Sequence, residues 1–110
     1  MKNIIVIPDS FKGTLSSIEV CDIVGSSIEA ACPDFNVLTF PVADGGEGTV
    51  DCFLRIKDGK RIGLQVTDPD MSPVDSYYGI FGDTAVIEMA AAAGYSLKAD
   101  GSSPLNTTTY

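Results

Sequence analysis

The chain has 110 residues, 45% of them hydrophobic, with seven Lys and Arg against 15 Asp and Glu, a formal net charge of −8 and no histidine. That length suits one domain and is too short for two, and the apolar share allows a core that buries ~60–70% of the unfolded surface. The charge excludes nucleic acid and an anionic membrane surface as partners, since both require phosphate-neutralising Lys and Arg; the lack of histidine excludes a His base, a Ser-His triad and a His-based zinc site.

The three cysteines, Cys21, Cys32 and Cys52, form no C-x-x-C pair and are odd in number. They read as small buried thiols of a reducing compartment rather than as disulfides or metal ligands. The opening "MKNIIVIPDS" has too short an apolar run for a signal peptide or a membrane helix and is stopped by Pro8. A cytoplasmic protein is expected.

In chain order, "NIIVI" (Asn3 to Ile7) is apolar without alternation, as in a strand covered on both faces and therefore parallel and central. "PDSFKGT" breaks it. From Leu15 to Ala31, apolar residues recur at Leu15, Ile18, Cys21, Val24 and Ile28, which predicts a helix with that face inward. Ser16 and Glu19 form a capping box at its start, with Leu15 and Val20 at staple positions. Phe35 to Val42 is a second strand, so the start of the chain is a right-handed βαβ unit. "EGTVDCFLRIK" suits a second helix.

From Lys60 the period changes to two. Ile62, Leu64 and Val66 share one face of a strand, and Val74, Ser76, Tyr78 and Ile80 share one face of the next. Gly82-Asp83 signals a hairpin into "TAVIEMA". The expected fold class is α/β: a Rossmann-like three-layer βαβαβ start with an appended antiparallel meander. Residues 1–58 hold the βαβα part, 59–93 the strand meander, and 94–110 a loop and the start of a next element. The abrupt ending at "NTTTY" suggests a piece of something longer.

Two loops follow presumed parallel strands and run into helices, the edge at which open α/β sheets bind ligands. "PDSFKGT" offers Asp9 and Ser10 as polar groups and Lys12 as a mobile cation, the only one between Lys2 and Arg55. Lys12 suits a phosphate or carboxylate; alternatively Asp9 and Ser10 only make an Asx-type turn beside a solvated lysine. "VADGGEGT" combines Asp44 and Glu47 with Gly45, Gly46 and Gly48, where a ligand can approach the backbone closely. It is neither a Walker loop nor a dinucleotide fingerprint. Asp44 and Glu47 fit a D-x-x-E capping pair, or they bind a substrate hydroxyl or a metal. Glu88 lies in an apolar strand, either at a solvated edge or aimed into a pocket, because unpaired burial is costly.

The segments "IPDSFKGTLSSIEV", "PVADGGEGTVD", "AVIEMAAAAGY" and "PLNTTTY" together resemble, in order and spacing, the amino-terminal part of the bacterial glycerate kinases that phosphorylate D-glycerate with ATP. The resemblance covers essentially the whole chain, and four segments in register make it specific. It implies a two-domain cytoplasmic kinase of glycerate and sugar-acid catabolism, with ATP and Mg²⁺ as co-reactants and D-glycerate in a cleft between domains. On that reading Lys12 holds the glycerate carboxylate or balances the transferring charge, while Asp44 or Glu47 binds a hydroxyl or Mg²⁺, or takes the attacking proton. Asp9, Ser10, Gly45, Gly46, Glu88 and Thr108 are the expected substrate-binding residues. The family continues past "TTTY" with "GTGE" and a later Gly-rich segment, so a chain of this length is expected to be inactive by itself and to self-associate through exposed edges. "TDPDMSPV" departs from the family's glycine-containing turn, and "SSPL" replaces Asn-Pro-Leu, so neither that turn's geometry nor a contact by that Asn carries over. The rivals are a non-catalytic small-anion binding or assembly module on the same fold, and a nucleotide-dependent oxidoreductase, which the missing G-x-G-x-x-G disfavours.

Overall fold

The computed structural model describes residues 2–94 and 97. Strand β1 (Lys2–Val6) leads into helix α1 (Ser17–Ala31), strand β2 (Phe35–Thr39) and helix α2 (Thr49–Ile56). Strands β3 (Lys60–Thr67), β4 (Pro73–Phe81) and β5 (Thr84–Ile87) follow, then a single turn of helix, α3 (Ala90–Ala93). No helix among the described residues is long and apolar enough to cross a membrane.

β1 and β2 pair in parallel, with Ile4 opposite Val37 and Ile5 opposite Leu38. α1 is the crossover that joins them and packs back on both. Its start follows from its sequence. The Ser16 side chain accepts the Glu19 N–H at 3.2 Å, and the Glu19 carboxylate accepts the Ser16 N–H at 2.8 Å. This exchange lowers the Glu19 pKa, chiefly through the backbone bond.

The face of α1 that packs overlaps the expected one at Cys21 and at the half-buried Leu15, Ile18 and Ile28, but its most buried residues are shifted to one side. Ser17, Val20, Cys21 and Gly25 are buried, while Val24 is exposed. Gly25 lies directly against Thr39 of β2. The helix is rotated so that its smallest residues meet the strand and α2, where Ser17 Oγ lies 3.2 Å from Cys52 Sγ. Small side chains allow backbones to come close, which centres the contact on Ser17, Cys21 and Gly25. All three cysteines are free thiols, and burial raises the Cys21 pKa.

The expected βαβαβ start needs a third parallel strand, but among the described residues the parallel sheet has two strands and β3 joins a separate antiparallel sheet of order β3-β4-β5. Instead, β3 pairs with the strand that follows it. β3 and β4 are joined by a tight turn in which the Asp68 carboxylate accepts the N–H groups of Asp70 and Ser72, at 2.9 and 2.8 Å. A turn that short returns the chain antiparallel to its predecessor.

The core lies where α2 meets the antiparallel sheet. Val50 is fully buried, Cys52 and Phe81 are nearly so, and the Phe53 and Phe81 rings sit 5.7 Å apart. α2 packs on the β4 face that carries Gly79 and Phe81, opposite the one carrying Val74, Ser76, Tyr78 and Ile80.

Candidate functional site

The two loops singled out in the sequence emerge side by side. Beyond the strands the parallel pairing continues: the Phe40 N–H donates to Val6 O at 2.8 Å and the Val42 N–H to Pro8 O at 3.3 Å. Each chain then turns away from the carboxyl edge of the sheet. In the first loop Phe11 and Leu15 close on each other through backbone bonds of 2.8 and 3.1 Å, which presents Lys12 at the tip of a tight turn. Lys12 is exposed and has no ion pair among the described residues.

The second loop is held from several directions. The Asp44 carboxylate accepts the Gly46 N–H at 3.0 Å, an Asx turn, and Gly46 O accepts the Thr49 hydroxyl at 2.8 Å. The Asp44–Glu47 capping pair suggested by the sequence does not form. The N-cap of α2 is Gly48, with φ 86°, in the left-handed region that suits glycine, and no local side chain caps it.

The cap comes instead from forty residues downstream. Glu88 Oε1 accepts the Gly48 N–H at 3.2 Å and Oε2 the Val50 N–H at 2.8 Å. With 2% exposure, Glu88 is neither at a solvated edge nor open to a ligand. Its carboxylate meets helix-end donors that would otherwise lack partners.

Between the loops lies an open cleft of about 770 Å³ lined by Ser10, Lys12, Glu47, Asp51, Arg61 and Tyr77, among others. Of the residues expected from the sequence, it brings together Ser10, Lys12 and Glu47. Asp9 is exposed and accepts the N–H of its neighbour Ser10 at 2.7 Å. Asp44, Gly45 and Gly46 form the turn behind Glu47 and do not line the cleft. Thr108 lies outside the described residues.

Three lining residues escaped the sequence reading. The Arg61 guanidinium stacks 3.6 Å from the centre of the Tyr77 ring and lies 3.3 Å from the Asp51 carboxylate. Tyr77 Oη reaches Asp51 and Glu88, each at 3.4 Å. Burial, reinforced by those two carboxylates and opposed by Arg61, pushes the Tyr77 pKa up to about 12. The phenol therefore stays protonated near neutrality and acts as a donor, not a base. Arg61 and Tyr77 sit on one face of the β3-β4 pair, alternate to the apolar residues whose period identified the strands. The signal was present in the two-residue period, but on the polar face.

A family model described as the glycerate kinase family matches residues 4–110. The chain belongs to the glycerate kinase family. It is 44% identical over 109 residues to a glycerate kinase of Bacillus subtilis (strain 168), covering 96% of this chain and 28% of that protein. It is 42% identical over 108 residues to the glycerate 2-kinase of Escherichia coli (strain K12), with the same coverage. A crystal structure of a glycerate kinase 2 from Salmonella typhimurium LT2 superposes with a TM-score of 0.71 at 38% identity, covering 97% of this chain and 29% of that one. The chain thus spans under a third of the length of the family members it matches.

Proposed function

We propose that this chain supplies the substrate-binding part of a glycerate kinase that transfers a phosphoryl group from ATP to a hydroxyl of D-glycerate in the cytoplasm. The observation that carries the reading is the convergence of Lys12 and Glu47, from loops more than thirty residues apart, on one cleft beside Arg61. Lys12, Arg55 and Arg61 line that cleft beside Glu19, Glu47 and Asp51. Arg55 and Arg61 are paired with Asp22 and Asp51, which leaves Lys12 as the lining cation without an ion pair among the described residues, the one available to an anionic substrate.

Phosphoryl transfer asks chiefly for positioning and for charges that match the spreading negative charge. Lys12, exposed and without an ion pair among the described residues, holds the carboxylate of glycerate or the transferring oxygens. Glu47 accepts a hydrogen bond from the attacking hydroxyl and takes its proton as the new bond forms. The Tyr77 phenol and Arg61 are donors on the opposite wall. Asp51 is already engaged by Arg61 and Tyr77, so Glu47 is the carboxylate left for a cation.

A Mg²⁺ ion in kinases is held by one or two carboxylates plus substrate phosphates rather than by an all-protein cage. Glu47, exposed at the cleft and without an ion pair among the described residues, is the carboxylate that would serve as such a ligand. Such an ion would draw charge from the phosphates of ATP.

The test is ATP-dependent glycerate phosphorylation by the protein expressed from its full natural reading frame. Lys12→Ala and Glu47→Gln should each lower kcat/KM by on the order of 10²-fold or more. Asp44→Asn, which keeps an acceptor for the Gly46 N–H, should cost much less. Wild-type activity in both Lys12→Ala and Glu47→Gln would sink the assignment. Glycerate binding without phosphorylation would instead identify a non-catalytic anion-binding module.

A further inference from the structure

Glu88 is the most buried acid among the described residues, and nothing in the proposed chemistry uses it. It follows β5, in the second sheet, yet both of its oxygens are spent on α2, in the first half of the chain. Its bonds go to Gly48 and Val50, and Gly48 is the immediate neighbour of Glu47. On the other side of Glu47, Gly46 is fixed by the Asp44 carboxylate and by Thr49. Glu47 is therefore the free residue between two anchored ones, and it is the one whose side chain lines the cleft.

We propose that Glu88 is a positioning residue for the cleft, clamping the backbone on the carboxyl side of Glu47 so that the Glu47 carboxylate is held ready for substrate. This inference rests on the proposed glycerate site and gives it a built-in support. It also reassigns Glu88 from substrate contact to loop anchor: its oxygens are filled by protein donors, with the Tyr77 hydroxyl as a third at 3.4 Å.

The geometry favours a clamp over a mere cap. An ordinary N-cap residue precedes its helix and bonds to it locally. Here the cap is supplied from another sheet, at the end of the strand beside the one that carries Tyr77, and Tyr77 itself lines the cleft. The two walls of the cleft, the glycine-rich loop and the β4 face, are thereby joined through a single carboxylate.

The experiment compares wild type, Glu88→Gln, Glu47→Gln and the double variant in the protein expressed from its full reading frame. Glu88→Gln keeps the size of the side chain but has only one good acceptor for two N–H groups. Faster amide hydrogen exchange at Gly48 and Val50 is expected in it, with the global melting transition retained. Because small misplacements of reacting groups are amplified, kcat for glycerate should fall on the order of 10- to 10²-fold, with the KM for ATP unchanged.

The readout that a purely structural role would not give is coupling. In the Glu47→Gln background, Glu88→Gln should add less than about twofold. Losses that multiply, or unchanged kcat alongside faster exchange, would overturn the proposal. A wild-type protein without glycerate phosphorylation would sink the proposed function instead. The clamp is then judged by exchange alone, and unaltered protection of Gly48 and Val50 in Glu88→Gln would overturn it.

Discussion

Met71 is the only non-glycine residue with a positive φ among those described, at 66°, and it is exposed at the tip of the β3-β4 turn. A side chain in the left-handed region costs ~1–2 kcal/mol. The compensation is local: the Asp68 carboxylate takes two backbone N–H groups and Asp68 N–H donates to Ser72 O at 2.8 Å, which holds the turn around Met71. Met71→Gly should therefore raise stability by up to about 1 kcal/mol, the relief of strain being partly offset by glycine's greater unfolded entropy. Urea denaturation would show it as a higher midpoint with an unchanged slope; an unchanged or lower midpoint would mean that the carboxylate already removes the strain.

α2 is an eight-residue helix that its own sequence starts poorly. It has no side-chain cap, and its N-cap is a left-handed glycine. Helices this short are marginal without tertiary support. The support comes from two places, the Glu88 carboxylate at its start and the β4 face along its side, where Val50 and Phe53 meet Phe81. That second contact depends on Gly79. A Cβ there would stand 2.6 Å from Phe81 Cε2 and 3.1 Å from Val50 Cγ1. Phe81 is almost fully buried and is also pressed by Gly59, so its ring has little room to retreat. Gly79→Ala should cost about 1–3 kcal/mol through overpacking. Gly63→Ala, at the neighbouring strand where a Cβ would meet nothing nearer than 4.0 Å, should be close to neutral. Equal melting temperatures for the two variants would show that the α2–β4 contact is not tightly packed.

At the scale of the molecule the two sheets are unequally covered. α1 shields the Ile4 and Val6 face of the parallel pair, but on the other face Ile5 is 59%, Ile7 59%, Leu38 38% and Phe40 42% exposed. The radius of gyration is 17.0 Å, against ~13 Å for a compact domain of about 100 residues. A contiguous apolar face on a sheet that has two strands and two open edges among the described residues invites further pairing or packing. As a 110-residue chain the protein should self-associate, and replacing Ile5 and Leu38 together with Lys should shift it towards monomer in sedimentation experiments. A monodisperse wild-type segment, or one indifferent to those two charges, would show that this face is not what associates.

The sequence by itself determined the order of β1, α1, β2, α2, β3, β4 and β5 but not the helical turn α3. It also determined the capping box of α1, the hairpin at Gly82-Asp83 and the two loops at one sheet edge; the family was legible in four longer segments in register. The elements, the cap, the hairpin and the loops rest on local signals: hydrophobic period, turn residues and side chains that bond within three or four positions. Tertiary structure alone decided the rest. The face that α1 buries depends on how closely Gly25 can approach Thr39, and that β3 pairs with β4 rather than with the parallel strands is a matter of long-range pairing. Arg61, Asp51 and Tyr77 meet only once α2 lies across β4. Glu88 offered one local clue, an acid among apolar residues, but its partners stand about forty positions earlier in the chain. An acid that is costly to bury must find donors, and only the folded chain brings the unpaired N–H groups of α2 to it.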